Sequence, residues 1–125
     1  MSTITVTGNL ASDPELRFTA KGEPVVNFRI AVNHSVKTED GWADGEPTFY
    51  DVAAFRKAGA ENVAESLTKG DTVLVHGEVH TRTWTNPEGE KRTSLQVNAR
   101  EIGASMRWAT LTIAKTPRNM SRPSK

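Results

Sequence analysis

Val73-Leu74-Val75-His76-Gly77-Glu78-Val79-His80-Thr81-Arg82-Thr83-Trp84 alternates between two kinds of side chain. Residues i and i+2 of a β-strand share a face. Val73, Val75, Gly77 and Val79 therefore make one small or apolar face, and His76, Glu78, His80, Arg82 and Trp84 make the other. The run reads as a half-buried strand that carries a tryptophan beside an arginine on its polar side. Just downstream, Asn86-Pro87-Glu88-Gly89 is dense in turn-forming residues. Beyond it Leu95, Val97 and Ala99 alternate with Gln96, Asn98 and Arg100, so residues 73–84 and 92–102 are predicted to form a long hairpin.

Working outward, the same period of two recurs. Ile4, Val6 and Gly8 alternate with threonines, and Val26, Phe28, Ile30 and Val32 with Asn27, Arg29, Ala31 and Asn33. From Phe49 onward, Phe49, Asp51, Ala53, Phe55 and Lys57 fall on one side, and Tyr50, Val52 and Ala54 on the other. Met106 to Ala114 is β-rich enough to predict a further, C-terminal strand. One segment has helical spacing: Ala58 to Lys69, with Ala60, Val63, Ala64 and Leu67 at i, i+3, i+4, i+7 and Gly70 as the expected C-terminal cap. Thr38 to Pro47, with Gly41 and Gly45, reads as a mobile connection. An all-β domain over residues 1–114 follows, with a short, basic, flexible tail over 115–125. Five strands with a short helix before the last hairpin is the element order of an OB-fold, a five-stranded Greek-key barrel. The extra strand would follow it; pattern alone leaves an SH3-like barrel or a sandwich open.

With 125 residues the chain suits a single domain with a real core. It has no cysteine, which removes disulfides, thiolate metal sites and a cysteine nucleophile. No N-terminal leader pattern and no apolar run of ~20 residues is visible, so no membrane association and a cytoplasmic location are expected. The net charge of +1 hides an asymmetry. Glu39, Asp40, Asp44, Glu46 and Asp51 crowd residues 38–51 with no base, while 105–125 holds bases and no acid. Such segments read either as surfaces for different partners or as a solvated loop and a loose tail.

Aromatics beside cations on polar strand faces suggest a stacking platform for nucleic-acid bases. On that reading Phe49, Phe55 and Trp84 are the platforms, Arg29, Lys57, Lys69 and Arg82 are phosphate neighbours, and Trp42 is a stacking finger in the acidic loop. The competing reading makes the same rings core or subunit-interface residues. His76, Glu78 and His80 at i, i+2, i+4 could approach a metal, but residues two apart on a strand lie roughly 7 Å apart and converge poorly on one ion. No metal is expected. There is no Gly-x-Ser-x-Gly elbow, no phosphate-binding glycine loop and no dinucleotide fingerprint, so neither an enzyme nor a cofactor is expected. The alternatives to a DNA binder are an OB-type protein-interaction module and an RNA-binding protein.

Several motifs in order resemble the bacterial single-stranded DNA-binding proteins. They are Thr3 to Glu15 with its Val-x-Gly-Asn-Leu and Asp-Pro-Glu, Val26-Asn27-Phe28, Phe49 to Lys57, Glu61 to Gly70, and Thr81-Arg82-Thr83-Trp84. The resemblance covers about residues 3–114. It implies an OB-fold, a homotetramer, and sequence-independent wrapping of single-stranded DNA in replication, repair and recombination, hence association with the nucleoid. It places Phe49 and Trp84 where the family has stacking tryptophans and Phe55 where it has a stacking phenylalanine; Lys57, Lys69 and Arg82 match basic positions. A further family tryptophan corresponds to Val36, with Trp42 as a possible substitute. Ser105 to Thr110 resembles the extra strand of the high-GC Gram-positive branch, which clamps a dimer. Trp108 and Leu111 are then expected at an oligomer interface, together with Ile4, Val6 and Tyr50. The family's acidic tail, ending Asp-Asp-Asp-Ile-Pro-Phe, has no counterpart in Arg-Asn-Met-Ser-Arg-Pro-Ser-Lys. The expectation is a paralogue with a specialised role such as chromosome segregation or DNA uptake, or else a truncated chain, without partner recruitment through such a tail.

Overall fold

Strands with one apolar side can hide it by packing on another layer or by closing on themselves, and here they close. The computed structural model describes residues 2–117. It contains β1 (Ser2–Leu10), β2 (Glu15–Phe18), β3 (Pro24–Val32), β4 (Ser35–Thr38), β5 (Gly41–Asp44), β6 (Thr48–Phe55), α1 (Ala60–Ser66), β7 (Thr72–Thr85) and β8 (Lys91–Ala104). The main sheet runs β1-β7-β8-β6-β3-β2. β3 returns to β1 through Asn9↔Ala31 and Leu10↔Ile30, which shuts a five-strand barrel. Among the described residues only the β6–β8 pairing is parallel. This is the expected OB-fold.

Each barrel strand sends its apolar alternates inward. Val26, Phe28 and Ile30 of β3 meet Val52 and Ala54 of β6, Val73 and Val75 of β7, Val97 of β8 and Leu10 of β1, all buried. Ala60 and Val63 of α1, with Leu67 just after it, complete this core. Two glycines let the barrel close tightly. A Cβ on Gly8 would lie 2.7 Å from the Ala31 carbonyl oxygen where β1 meets β3. At Gly77 the β7–β8 register slips, His76 facing Glu101 and Gly77 facing Ala99. A Cβ there would collide with the Asn98 carbonyl oxygen and sit 2.8 Å from the Ala99 Cα. The bulge supplies the bend that a barrel wall needs.

Four expectations change. The helix is shorter than 58–69, because a 3-10 turn (Arg56–Ala58) precedes it and Gly59 at φ 85° separates the two. Its C-cap is Leu67, which leaves in an extended conformation, and the Leu67 side chain is buried. Gly70, at φ 97°, belongs to the next turn, where its N–H donates to the Leu10 carbonyl at 2.8 Å. The connection 38–47 is largely a β4–β5 hairpin whose two-residue tip is Glu39–Asp40. β2 has no counterpart in the sequence pattern; all of its residues are exposed, and its ladder is with β3. The strand expected over 106–114 does not form. After the Ser105 N–H donates to the Thr72 carbonyl at 2.9 Å, this chain offers no strand edge beside it, and a strand exists only through its ladder. The segment instead runs past α1, where Asn62 donates to the Thr116 hydroxyl at 3.4 Å. The expected tail lies outside the described residues from 118 on. Among the described residues no helix is long and apolar enough to cross a membrane.

Candidate nucleic-acid interface

The outward face of β6 carries Phe49, Asp51, Ala53 and Phe55, while Val52 and Ala54 are buried and Tyr50 is half-buried. That division follows directly from strand parity. Parity stops at Phe55, however, because the chain enters the 3-10 turn at Arg56. Lys57 is therefore placed by that turn and not by the strand row that the sequence suggested.

Phe49, Phe55 and Trp84 are 40%, 39% and 43% exposed. Each ring is thus seated on the barrel by one side and open on the other, which suits stacking better than a fully buried or fully loose ring does. Two of the three have an arginine at the ring. The Arg29 guanidinium lies 4.5 Å from the Phe49 centroid, and that of Arg82 lies 5.8 Å from Trp84. Such contacts are worth about 0.5–1 kcal/mol at exposed sites, enough to orient a ring and weak enough to yield to a base. The ladder also puts Arg92 directly opposite Trp84 and Lys91 opposite Thr85. These two cations were missed in the sequence, although counting back across the Asn86–Glu90 turn would have found them.

A groove of about 440 Å³ runs across β3, β6 and β8, lined among others by Asn27, Arg29, Asp51, Ala53, Gln96, Asn98 and Arg82. Ser12, Asp13 and Glu15 form one rim. Lys69 comes to that rim, because its backbone N–H donates to Asp13 Oδ1 at 2.8 Å. Among the described residues neither Lys57 nor Lys69 has an ion-pair partner, whereas Arg29 stands 3.7 Å from Asp51. The two lysines can meet a phosphate without breaking an internal pair.

Trp42 is 73% exposed on the β4–β5 hairpin. It faces Lys37 across the ladder, while Val36 faces Ala43. Cross-strand partners share a face, so Trp42 projects from the opposite side of the ribbon to Val36. It does not take over the direction that a ring at Val36 would have.

Of the residues expected at an oligomer interface, Ile4, Val6 and Tyr50 pack half-buried against this chain's own core. Trp108, 80% exposed with Arg107 at 5.5 Å from its ring, and Leu111 stand free of that core. On β7, His76 Nδ1 lies 2.7 Å from the Thr5 hydroxyl and Glu78 pairs with Arg100 at 2.6 Å. Both side chains are engaged within the sheet.

The model of the Single-strand binding protein family matches residues 1–105. A "Single-stranded DNA-binding protein" of Paenarthrobacter aurescens is 48% identical over 120 residues, 94% of this chain and 70% of the relative. The protein of the same name from Mycobacterium leprae is 47% identical over 120 residues, 94% and 71% of the two chains. Among solved structures, the small single-stranded DNA-binding protein from Streptomyces coelicolor matches with a TM-score of 0.75 and 38% identity, covering 84% of this chain and 94% of that one. With a barrel of this topology, exposed rings on its strands and a family match along most of its length, the chain belongs to the single-strand binding protein family.

Proposed function

We propose that this protein binds single-stranded DNA without requiring a fixed sequence, by stacking bases on Phe49, Phe55 and Trp84 and drawing phosphates to Lys57, Lys69 and Arg82. The observation that carries the reading is the set of three half-open rings on the outer barrel face, two of them beside an arginine. Every base has a π-face, so such rings accept any sequence, at about 1–3 kcal/mol per base. Arg29, held between Phe49 and Asp51, serves as a secondary phosphate or stacking contact. Trp42 can add a base from the β4–β5 hairpin. The role is that of a binder, not a catalyst, shielding single strands exposed in replication, repair and recombination.

The same reading includes assembly into a tetramer. β1 pairs with β7 over Ser2–Asn9 but with β3 only at Asn9 and Leu10, so most of one β1 edge is open in the single chain. Open edges are ordinarily paired or covered. Met106, Trp108 and Ile113 are exposed along a segment with no strand partner of its own, and a second copy would give that segment its ladder. Titration with oligo-dT at several salt concentrations tests the binding, with native mass measured alongside. Tryptophan quenching with affinity that falls steeply with salt is expected. The absence of both quenching and a mobility shift at low salt would refute the binding, and a monomer at micromolar concentration would refute the assembly.

A further inference from the structure

Of the two arginines beside the stacking rings, one is free and the other is held. Among the described residues Arg82 has no ion-pair partner, whereas Arg29 is engaged twice. The Arg29 Nε lies 3.7 Å from Asp51 Oδ1, and its Cζ stands over the Phe49 ring at 4.5 Å from the centroid. The register explains how one side chain does both. Arg29 of β3 faces Asp51 of β6 directly, and Ala31 faces Phe49, so Arg29 and Phe49 are diagonal neighbours on the outward face, within reach of a long side chain. The Arg29 backbone is anchored as well: its N–H donates to the Ser12 hydroxyl at 3.3 Å, and its carbonyl accepts from the Ala11 N–H at 2.7 Å. Movement at this position therefore belongs to the side chain.

One arrangement thus occupies two binding elements. A stacked aromatic group brings its centroid to about 4.5–7 Å from that of the ring beneath it, and over Phe49 the guanidinium fills that space. The charge of Arg29 is meanwhile committed to a carboxylate instead of a phosphate. At Trp84 no acid holds the neighbouring arginine, and Arg82 stands further off, at 5.8 Å.

We propose that Asp51 is a positioning residue that latches Arg29 over Phe49 and so holds this subsite closed in the DNA-free protein. The inference rests on the single-stranded DNA reading above and adds to it a residue that lowers affinity. Opening the latch moves Arg29 from Asp51 to a phosphate, and the same movement uncovers Phe49 for a base. Phosphate contact and stacking at this end of β6 are therefore gained together. Exposed ion pairs and exposed cation–π contacts are both weak, so a strand already held at the other rings opens the latch readily. The salt response follows from the same exchange. A free arginine that reaches a phosphate releases a counterion from the strand. Arg29 leaves behind a bare Asp51 that takes one up, so its contact adds little to the salt slope.

The test is a double-mutant cycle on Asp51→Asn and Arg29→Gln, read by anisotropy of a labelled oligo-dT of about twelve nucleotides, within the span of one barrel of this type, at several salt concentrations. Asp51→Asn is expected to tighten binding about two- to fivefold, the contribution of an exposed ion pair. It should also steepen the slope of log K against log salt by about 0.7, one full phosphate contact on a single strand. In the Arg29→Gln background the same substitution is expected to leave affinity and slope nearly unchanged, because the carboxylate has no arginine to hold. A gain of equal size in both backgrounds would mean that Asp51 acts on the strand by repulsion alone and overturns the latch; so does unchanged affinity and slope in Asp51→Asn. Both side chains are about half exposed, so the variants should fold, and a second measurement needs none of them. The Arg29 Nε–H resonance, shifted by the Phe49 ring current in the free protein, is expected to move when oligo-dT is added; a resonance that stays in place in the bound protein overturns the latch. No binding of oligo-dT by the unmodified protein at low salt overturns the binding reading itself.

Discussion

Replacing Trp84 by alanine isolates stacking from charge. Trp84 stands near the turn end of the β7–β8 hairpin, opposite Arg92 and with Arg82 5.8 Å from its ring. Being 43% exposed, it has one free side to offer, and the loss belongs in the lower part of the stacking range, about 1–2 kcal/mol. That corresponds to a rise in Kd of roughly 5- to 30-fold. The side chain contributes little to the core, so the thermal midpoint is expected to stay close to that of the unmodified protein. The assay is anisotropy of a labelled dT strand, because the variant has lost the ring that would report by quenching.

Salt dependence supplies the discriminating readout. Each phosphate contact contributes about −0.7 to the slope of log K against log salt for single strands. Trp84→Ala removes no cation, so its line should drop parallel to that of the unmodified protein. Lys57→Ala or Lys69→Ala should instead make the line shallower. Unchanged affinity in Trp84→Ala would remove the platform; a slope that flattens along with the affinity loss would show that the ring acts through Arg82 or Arg92 rather than by stacking.

Other consequences concern the barrel and the assembly. Gly77→Ala forces a methyl into the Asn98 and Ala99 backbone; overpacking of this kind costs about 1–3 kcal/mol, seen as a fall in Tm of roughly 4 °C or more, and an unchanged Tm would mean that the bulge relaxes freely. Ile30, fully buried on β3, should cost about 2–5 kcal/mol as Ile30→Ala, measured as a lower urea midpoint at constant slope. Trp108→Ala should shift native mass toward smaller species at micromolar protein; an unaltered mass distribution would take Trp108 out of the interface.

What the sequence made legible follows from how local each signal is. The outward residues Phe49 to Phe55 of β6 and the Arg82–Trp84 pair on β7 need only strand parity, a property of the residue and its second neighbour, and these stand as expected, while Lys57, past the strand end, does not. The long hairpin needed only the Asn86–Gly89 turn. β2 was hidden because Glu15-Leu16-Arg17-Phe18 has no buried alternates, its identity as a strand coming from β3 alone. The β4–β5 ribbon was masked by its glycines and acids, which read as loop chemistry although Gly41, at φ 118°, serves the tight turn of a hairpin.

Residues 106–114 show the opposite error, and it bears on how such a domain is built. Their composition favours β-structure, yet propensity of that kind describes fitness for a pleated, half-covered surface and does not supply a partner edge. Within one chain β7 and β8 already occupy each other, and β7 also carries β1. On the proposed assembly, this segment, with its strand chemistry and exposed Trp108 and Ile113, finds its edge on another copy. The open edge of β1 is the other place that proposal would cover. The outward rings of β6 and β7 need no such partner, since Phe49, Phe55 and Trp84 are each seated on their own barrel. It follows that base stacking and assembly are separable: Trp84→Ala should weaken DNA binding in an intact oligomer, and Trp108→Ala should loosen the oligomer while each subunit keeps its stacking face.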